Sequence, residues 1–404
     1  MKGSRKLLAA TAAVLAALSV GCANTGSGAA PGASAPEQDA GPLKIGVIVP
    51  LSGPAGPNGA HVLEAIEVMA DLVNSEGGCA GRQVEVVSRD DQSTPAAGVS
   101  AANDLIAEGV DVVMGGWNSP VTLAIQPVLV RAGILNITTI PQNASILGGA
   151  DPAAIRMNAG NEVGAHVAAR YIADTLQAKR VAMLLQNDAY GNDAGAALRA
   201  ELEKRGVEVV AEQTFAFTDT DFRIPLSNIA AANPDVVFSA NAAESSGMPA
   251  MARQYAESGI PAVHFAGTGT VSPTVIELAG GAVIDGLVSA DLYFPDVEPF
   301  RSLPRNEAFV QAYTQRSGGD LPDKYRALGA QSVDIWCKAV EKAGTTERLA
   351  VADAIQGESF TDTVLGDVRF TEEGQQEFAV YAFTVEGGKT KVLEEIPVDE
   401  AVWG

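Results

Sequence analysis

Short apolar runs alternate with helical patterns along most of this chain. Apolar runs of about 4–8 residues indicate buried strands, and apolar residues spaced three and four apart indicate helices with one buried face. In the first part of the chain, these patterns predict strands at 43–49, 84–87, 110–114 and 133–137, and helices at 62–73, 99–108 and 120–130. Four strands that alternate with three helices are typical of a parallel sheet covered on both faces.

The same alternation restarts after Arg156. It predicts helices at 162–177, 194–204, 224–232 and 248–258, and strands at 181–185, 207–210, 236–238 and 262–265. Later helices are predicted at 309–316 and 330–342, and a strand at 378–385. The chain is too long for one small core, so the pattern predicts an α/β fold with two doubly wound units of similar design.

The first residues are typical of an export signal. Lys2, Arg5 and Lys6 precede an apolar run at 7–18, which is too short for the ~20 residues of a membrane-spanning helix. Small residues then lead to Cys22, which looks like the lipidation site of bacterial lipoproteins, although Ser19 stands where an aliphatic residue is usual. We predict a signal peptide at 1–21 and a lipid on Cys22; the alternative is a secreted protein without a lipid.

A segment of low complexity follows this cysteine. Residues 22–42 consist mostly of Gly, Ala, Ser and Pro, a composition that cannot bury a core and is typical of a flexible tether. A coil of this length has an end-to-end distance of ~25 Å. The sequence therefore predicts an extracytoplasmic protein that is lipid-anchored to the cell membrane.

The charge of the chain excludes some partners. The net charge is −22, and loss of residues 1–21 would remove three cations and no acid, leaving about −25. Such a protein is not expected to bind nucleic acid. His61, His166 and His264 are scattered, and no hydrolase, zinc-protease or phosphate-loop motif is present, so we expect no enzyme, cofactor or metal site. An extracytoplasmic hydrolase is the weakest alternative.

Cys79 and Cys337 remain after Cys22 is assigned to the lipid. In an oxidising compartment, an even pair forms a disulfide in many proteins, but two separate buried thiols fit the sequence equally well. Both possibilities stay open at this point.

The turn GGWNSP at 115–120 is the clearest candidate for a binding site. It follows a predicted strand, and ligands of open α/β sheets bind outside the carboxyl ends of strands. Ser119 is a suitable N-cap and Pro120 a suitable first helical residue, so the free N–H groups of this helix are expected to attract an anion. Trp117 is interpreted as an apolar wall of the site, with core packing as the alternative.

Several longer motifs, in this order, resemble the branched-chain amino-acid-binding proteins, which are type I extracytoplasmic receptors of ABC importers. The motifs are IGVIVPLSGPAGPNG at 45–59, NSEGGCAGRQVEVVSRDDQSTP at 74–95, GGWNS, DAYGNDAG at 188–195, TDTDFRIPLSNIAAANPDVVF at 218–238 and LGDVRFTEEG at 365–374. The resemblance implies two lobes joined by a three-crossing hinge, with a small ligand enclosed between them. Carried over, lobe 1 is 43–158 with 290–365, and lobe 2 is 159–289 with 366–404.

The resemblance also implies ligand contacts. A ligand carboxylate is expected at Ser119, Thr138, the backbone of Ile140, and Gln142, and Asn118 and Trp117 of the same turn are further expected ligand contacts. Tyr190 is expected to close over the ligand, and Asn58 stands where members often place a large side chain. Glu244 and Thr268 complete the expected contacts.

One motif departs from the family. Members that bind amino acids place an acid near FAGTGT at 265–270, where this chain has Thr268 and Gly269. A buried ammonium without a partner is costly. Either Glu244 or Asp188 therefore takes that role, or the ligand is an aromatic acid, an oxo acid or a small amide. We expect a monomer that works with ABC permease subunits, and a ligand sensor is the remaining alternative.

Overall fold

Residues 41–147, 149 and 151–403 are described by the structure, a computed structural model of the chain. The predicted signal peptide, Cys22 and the tether up to residue 40 lie outside the described residues. Within the described part, no helix has both the length and the apolar character needed to cross a membrane.

The first sheet follows the predicted alternation. Its strands are β1 (Leu43–Val49), β2 (Val84–Asp90), β3 (Val112–Gly115), β4 (Leu135–Thr138) and β5 (Ile155–Arg156), and the helices between them are α1 (Gly56–Ser75), α2 (Pro95–Glu108) and α3 (Ser119–Ala132). All strand pairs are parallel, in the order β2-β1-β3-β4-β5. Ile45 and Val47 face the core that contains α1, whereas Ile48 packs against α2 and α3 on the other side. The four predicted strands and three predicted helices of this part are confirmed.

The second sheet has a similar construction. Its parallel strands and helices are α4 (Asn161–Arg170), β6 (Arg180–Gln186), α5 (Ala189–Lys204), β7 (Glu208–Phe215), α6 (Arg223–Ala231), β8 (Val236–Ala240), α7 (Gly247–Ser258), β9 (Val263–Ala266), α8 (Pro273–Ala279) and β10 (Val288–Asp291). Helix α5 begins earlier than predicted, because the Asp188 side chain accepts hydrogen bonds from the N–H groups of Tyr190 and Gly191 and caps it. We call the half built on the first sheet lobe 1 and the half built on the second sheet lobe 2.

After β10, the chain contributes further helices and strands to both lobes. The remaining elements are α9 (Pro304–Ser317), α10 (Lys324–Ala343), α11 (Arg348–Asp353), β11 (Ser359–Thr363), β12 (Gly366–Phe370), β13 (Gln376–Glu377), β14 (Val380–Glu386), β15 (Lys389–Ile396) and α12 (Glu400–Trp403). Helices α9 and α10 pack on α1, whereas β14 and β15 extend the second sheet in the order β15-β14-β10-β9-β8-β6-β7. The chain thus passes between the lobes after β5, after β10 and after β13, which is the predicted three-crossing architecture.

The predicted lobe boundary between residues 365 and 366 lies among the C-terminal strands. Strands β11, β12 and β13 form a separate antiparallel sheet. The predicted boundary between residues 365 and 366 therefore falls in the connection between the paired strands β11 and β12. The exact division of the chain into lobes stays a prediction.

The two remaining cysteines lie together in lobe 1. Cys79 follows α1 and Cys337 lies on α10, and both are buried free thiols rather than a disulfide. The Cys79 side chain contacts the Cys337 thiol and, together with burial, raises the pKa of that thiol. The contact removes the possibility of two distant thiols, and formation of a bridge stays a prediction.

Candidate ligand-binding site

The GGWNSP turn connects β3 to α3. Gly115 and Gly116 have φ angles of 106° and 92°, which side chains rarely adopt. A Cβ atom at Gly115 would also lie 2.8 Å from the carbonyl oxygen of Ile48. The two glycines are therefore required by the backbone path that brings Trp117 and the start of α3 to the edge of the sheet.

The predicted N-cap at this helix is wrong. Asn118 occupies the cap position, and Ser119 is the first helical residue. The N–H groups of Val121 and Thr122 both donate to the Asn118 carbonyl oxygen, and Pro120 has no N–H. Fewer donors are thus free for an anion than predicted, but the Ser119 hydroxyl is not used for capping.

A small cavity of about 30 Å³ lies between the two lobes, next to this turn. Its walls come from the segments after β3, β4, β5, β6, β8 and β9 and from the start of α10, so it lies at the carboxyl ends of the strands, as expected for an open α/β sheet. The predicted residues that line it are Trp117, Asn118, Ser119, Ile140, Gln142, Tyr190, Glu244 and Thr268. The structure thus brings together residues that are far apart in the sequence.

Two predicted contact residues do not line the cavity. The Thr138 hydroxyl donates to the Ile155 carbonyl oxygen at 3.2 Å and is buried between strands β4 and β5. Asn58 lies in the first turn of α1 rather than in a loop, because the helix begins before Pro57, and its side chain accepts a hydrogen bond from Ser245 of lobe 2. Asn58 therefore joins the lobes beside the cavity.

Several lining residues were missed in the sequence. They are Pro141, Asn158, Gln186, Ala242, Thr270 and Tyr325, and the loop residues Asp188 and Gly269 also contribute. Gln186, Ala242 and Thr270 lie close to predicted strand ends and were therefore detectable. Tyr325 lies at the start of α10, far along the chain, and no local pattern marks it.

Contacts across the cavity hold the lobes together. The Trp117 indole N–H donates to the Ala242 carbonyl oxygen at 3.2 Å. The Gln142 side-chain amide donates to the Thr268 carbonyl oxygen at 3.3 Å. Trp117 also packs against the Tyr325 ring, with ring centroids 4.7 Å apart. The structure is therefore a closed form. Trp117 lines the cavity and also belongs to the hydrophobic core, so its role as an apolar wall for a ligand stays a prediction.

Glu244 is the most unusual group in the cavity wall. Its side chain is 1% exposed, Tyr325 donates a hydrogen bond to Oε1, and Oε2 has no hydrogen-bond partner among the described residues. Burial raises the pKa of the Glu244 carboxyl well above its usual range, although the Lys324 ammonium and a contact with the Ser272 hydroxyl partly lower it. A ligand that donates to Oε2 would offset this cost of burial.

Both carboxylate oxygens of Asp188 already accept hydrogen bonds. Its Oδ1 accepts from the backbone N–H groups of Tyr190 and Gly191 at 2.9 and 3.1 Å, and its Oδ2 accepts from the Gln186 amide. Of the two acids named as possible partners for a ligand ammonium, Glu244 is the one with an unused oxygen atom.

Lys324 occupies the space beside Gly269. The backbone of Gly269 has a φ of 75°, and a Cβ atom there would collide with the lysine ammonium, which donates to the Gly269 carbonyl oxygen at 3.2 Å. An acidic side chain at position 269 would therefore occupy space that this lysine now fills.

Other polar atoms at the cavity lack partners among the described residues. They are the side-chain oxygens of Asn118, Asn158 and Thr268. The Asn158 amide nitrogen donates to the Ile140 carbonyl oxygen at 2.7 Å, which fixes the oxygen of this side chain as an acceptor. Buried polar atoms are rarely left unsatisfied, so these atoms favour a polar ligand that supplies donors.

Comparisons with known proteins agree with this geometry. The sequence model of the periplasmic binding protein family matches residues 42–390. Leu/Ile/Val-binding protein homolog 1 of Brucella suis biovar 1 is 27% identical over 337 residues, which cover 83% of this chain and 88% of the relative.

Solved structures show the same fold. The leucine-binding protein of Thermotoga maritima matches with a TM-score of 0.79 at 24% identity, covering 88% of this chain and 98% of that one. A solute-binding protein of an ABC transporter from R. palustris, in complex with benzoate, matches with a TM-score of 0.79 at 24% identity. The match covers 89% of this chain and 99% of that one. Because the family model spans most of the chain and the two-lobed fold agrees, this chain belongs to the periplasmic binding protein family and resembles its branched-chain amino-acid-binding members.

Proposed function

We propose that this protein is the extracytoplasmic receptor of an ABC importer and that it encloses a small amino acid between its lobes. The observation that carries the proposal is the interlobe cavity, whose wall contains polar atoms, above all Glu244 Oε2, that have no hydrogen-bond partner in the described part of the chain. The names of the relatives, Leu/Ile/Val-binding protein and leucine-binding protein, support this ligand class.

The cavity offers different chemistry to different parts of such a ligand. The Ser119 hydroxyl and N–H are the donors for a carboxylate, and Glu244 Oε2 is the acceptor for an ammonium. Trp117, Ile140, Tyr190 and Tyr325 supply apolar surface for a side chain. A cavity of about 30 Å³ leaves room for water-sized groups only, so an amino acid requires the lobes to part and close again around it.

Lobe closure is the working step in this proposal. A ligand shifts the equilibrium between open and closed forms only by its difference in affinity for the two. Contacts with Ser119 of lobe 1 and Glu244 of lobe 2 are both complete only in the closed form. The closed, loaded receptor is the state that a permease would recognise.

An aromatic acid is the second candidate. The raised pKa of Glu244 favours a neutral carboxyl, which does not require an ammonium partner. The R. palustris neighbour is complexed with benzoate, an acid without an amino group. The two candidates differ in whether the charge of Glu244 contributes to binding.

A thermal-shift screen with amino acids, oxo acids, aromatic acids and small amides tests the proposal. A ligand at ~100 times its Kd adds ~2.7 kcal/mol to the free energy of unfolding, which is easily detected. We expect a small aliphatic amino acid to give the largest shift. Absence of a shift with every amino acid would contradict this ligand class, and a shift with benzoates alone would support the aromatic acid.

Glu244→Gln separates the same two ligands. The substitution keeps the size of the side chain and its contact with Tyr325 but removes the negative charge. The affinity for an amino acid should fall by about 10- to 100-fold, because a charged hydrogen bond contributes ~1.5–3 kcal/mol. The affinity for the matching 2-oxo acid, measured by calorimetry as a control, should change little.

We further propose that Cys22 carries a lipid and that residues 22–42 tether the body to the membrane, beside permease subunits. The support is the residue pattern of 1–22. In the native host, Cys22→Ser should move the protein from the membrane fraction to the soluble fraction. Retention in the membrane fraction would rule out this anchor, and a neighbouring kinase gene without permease genes would favour the sensor alternative.

A further inference from the structure

A second, much larger cavity lies close to the ligand cavity. Its volume is about 750 Å³, and its walls come from α8, the segment after β10, the segment before α10 and the β14–β15 turn. It is therefore bordered by elements of both lobes. Its lining is partly charged and partly apolar, and the apolar residues include Ile276, Phe294, Leu321 and Val392.

Tyr325 stands between the two cavities. Among the described residues, its side chain is the one that lines both of them. The segment from Gly269 to Ser272 forms the rest of the boundary, since Gly269 and Thr270 line the small cavity and Val271 and Ser272 line the large one. Tyr325, this short stretch of backbone and the Lys324 side chain, which contacts both, therefore contribute to the separation.

The ring is fixed from three directions. Trp117 packs on it with a centroid distance of 4.7 Å, and the Lys324 ammonium lies 4.3 Å from its centroid. Its hydroxyl contacts both Glu244 and the Gly269 carbonyl oxygen in lobe 2. Since a hydroxyl has one hydrogen, Tyr325 donates to one of these two acceptors at a time. The side chain is 6% exposed and is held in place as part of the closed form.

We propose that Tyr325 is the specificity-determining residue that limits the length of the ligand, by closing the ligand cavity against the larger one. This inference rests on the proposed function, because it assigns a size limit to the same site. A ligand side chain that reaches the ring meets a wall held by Trp117, Lys324 and Glu244. Removal of the ring opens a path to apolar surface at Phe294 and Val392.

A series of linear L-amino acids tests the size limit by calorimetry. L-Norvaline, L-norleucine and L-2-aminooctanoate lengthen the side chain stepwise, and 4-alkylbenzoates form the parallel series for an aromatic site. Wild type should bind L-2-aminooctanoate at least about tenfold more weakly than L-norleucine. In Tyr325→Ala, the two added methylenes should instead improve binding by about tenfold, since each buried methylene is worth about a factor of four.

Tyr325→Phe is the matched control. It keeps the ring and loses the hydroxyl, so its dependence on side-chain length should equal that of wild type, even if overall affinity changes. Tyr325→Leu replaces Tyr325→Ala in the experiment if the Ala variant does not fold. It should also shift the preference toward longer ligand side chains, by a smaller factor. An unchanged length dependence in the folded Ala or Leu variant would overturn the proposal, as would an equal relaxation in Tyr325→Phe.

A crystal structure of the folded Ala or Leu variant separates this inference from the proposed function. If the two cavities form one continuous chamber in the variant, the role of Tyr325 is supported without any ligand. If they remain separate, that role is overturned. A continuous chamber in the variant, combined with no binding of any short acid by wild type, would count against the proposed function alone.

Discussion

At the scale of single residues, the site depends on polar groups that the fold leaves unused. Ser119 is 2% exposed, and its hydroxyl accepts only a long hydrogen bond of 3.4 Å from the Asn143 N–H. Glu244 is buried with one free oxygen atom. Trp117 and Ser119 could be predicted because a strand end, two glycines and a helix start mark their turn. Tyr325 could not, because only the folding of α10 against α1 brings it to the cavity.

Ser119→Ala should weaken binding of the ligand found in the screen. The loss is expected to be ~0.5–1.5 kcal/mol for a neutral hydrogen bond and ~1.5–3 kcal/mol if the ligand group is charged. Calorimetry measures the change. Ser145→Ala, at an exposed position on the loop after β4, is the matched control and should bind as wild type does. Unchanged affinity in a folded Ser119→Ala protein would remove Ser119 from the site.

Asp91 should make stability depend on pH. It is fully buried, and burial raises its pKa from 3.8 to about 6. Between these values the folded state binds more protons than the unfolded state, so the free energy of unfolding falls as pH rises from about 4 to 6. The shift corresponds to roughly 2–3 kcal/mol.

Asp91→Asn should remove this part of the pH dependence in urea titrations at pH 4, 5, 6 and 7. Asp90→Asn is the control, because the pKa of Asp90 is shifted in the opposite direction. Burial raises the pKa of Asp90, but hydrogen bonds from Ser52 and Leu51 lower it by more, so the pKa lies below its usual value. Asp90 therefore stabilises the fold above its unfolded pKa and loses that contribution as pH falls. The same slope in wild type and Asp91→Asn would contradict the assignment for Asp91.

At the scale of elements, helix packing positions the start of α3. The alternating pattern predicted strands β1 to β4 of the first sheet, strands β6 to β9 and β14 of the second sheet, and most helices, because each buries a regular apolar face. Strands β10, β11, β12 and β15 were not predicted, and neither were β5 and β13, which have two residues each and show no period. Helix α3 packs on α2, and Gly98 of α2 lies at their contact.

Gly98→Ala should disturb this contact. The new Cβ atom would lie 2.6 Å from Val121 Cγ1 and 3.3 Å from Ile125 Cγ2. Overpacking of a core costs ~1–3 kcal/mol, partly offset by the ~1 kcal/mol helix preference of alanine over glycine. Urea unfolding should show a net loss of stability, and ligand affinity should fall because α3 carries Ser119.

A double-mutant cycle with Val121→Ala checks the cause. The cost of Gly98→Ala should be smaller when Val121 is already shortened, because the colliding methyl groups are gone. Equal costs in both backgrounds would show that the destabilisation does not come from this contact.

At the scale of the whole molecule, two lobes meet around a cavity that neither lobe forms alone. Hydrogen bonds from Trp117 to Ala242 and from Gln142 to Thr268 cross between them. The two-lobed fold was predictable from the repeated α/β pattern and the family motifs. The partners of each cavity residue were not, because they depend on how loops from both sheets face each other after closure. The position of Lys324 beside Gly269 is an example.

A crystal structure of the complex with the strongest ligand of the screen tests the central claim most directly. The account predicts closed lobes, with the ligand carboxylate within hydrogen-bonding distance of the Ser119 hydroxyl and its amino group against Glu244 Oε2. A ligand held elsewhere, or one in the cavity that contacts neither Ser119 nor Glu244, would contradict the account.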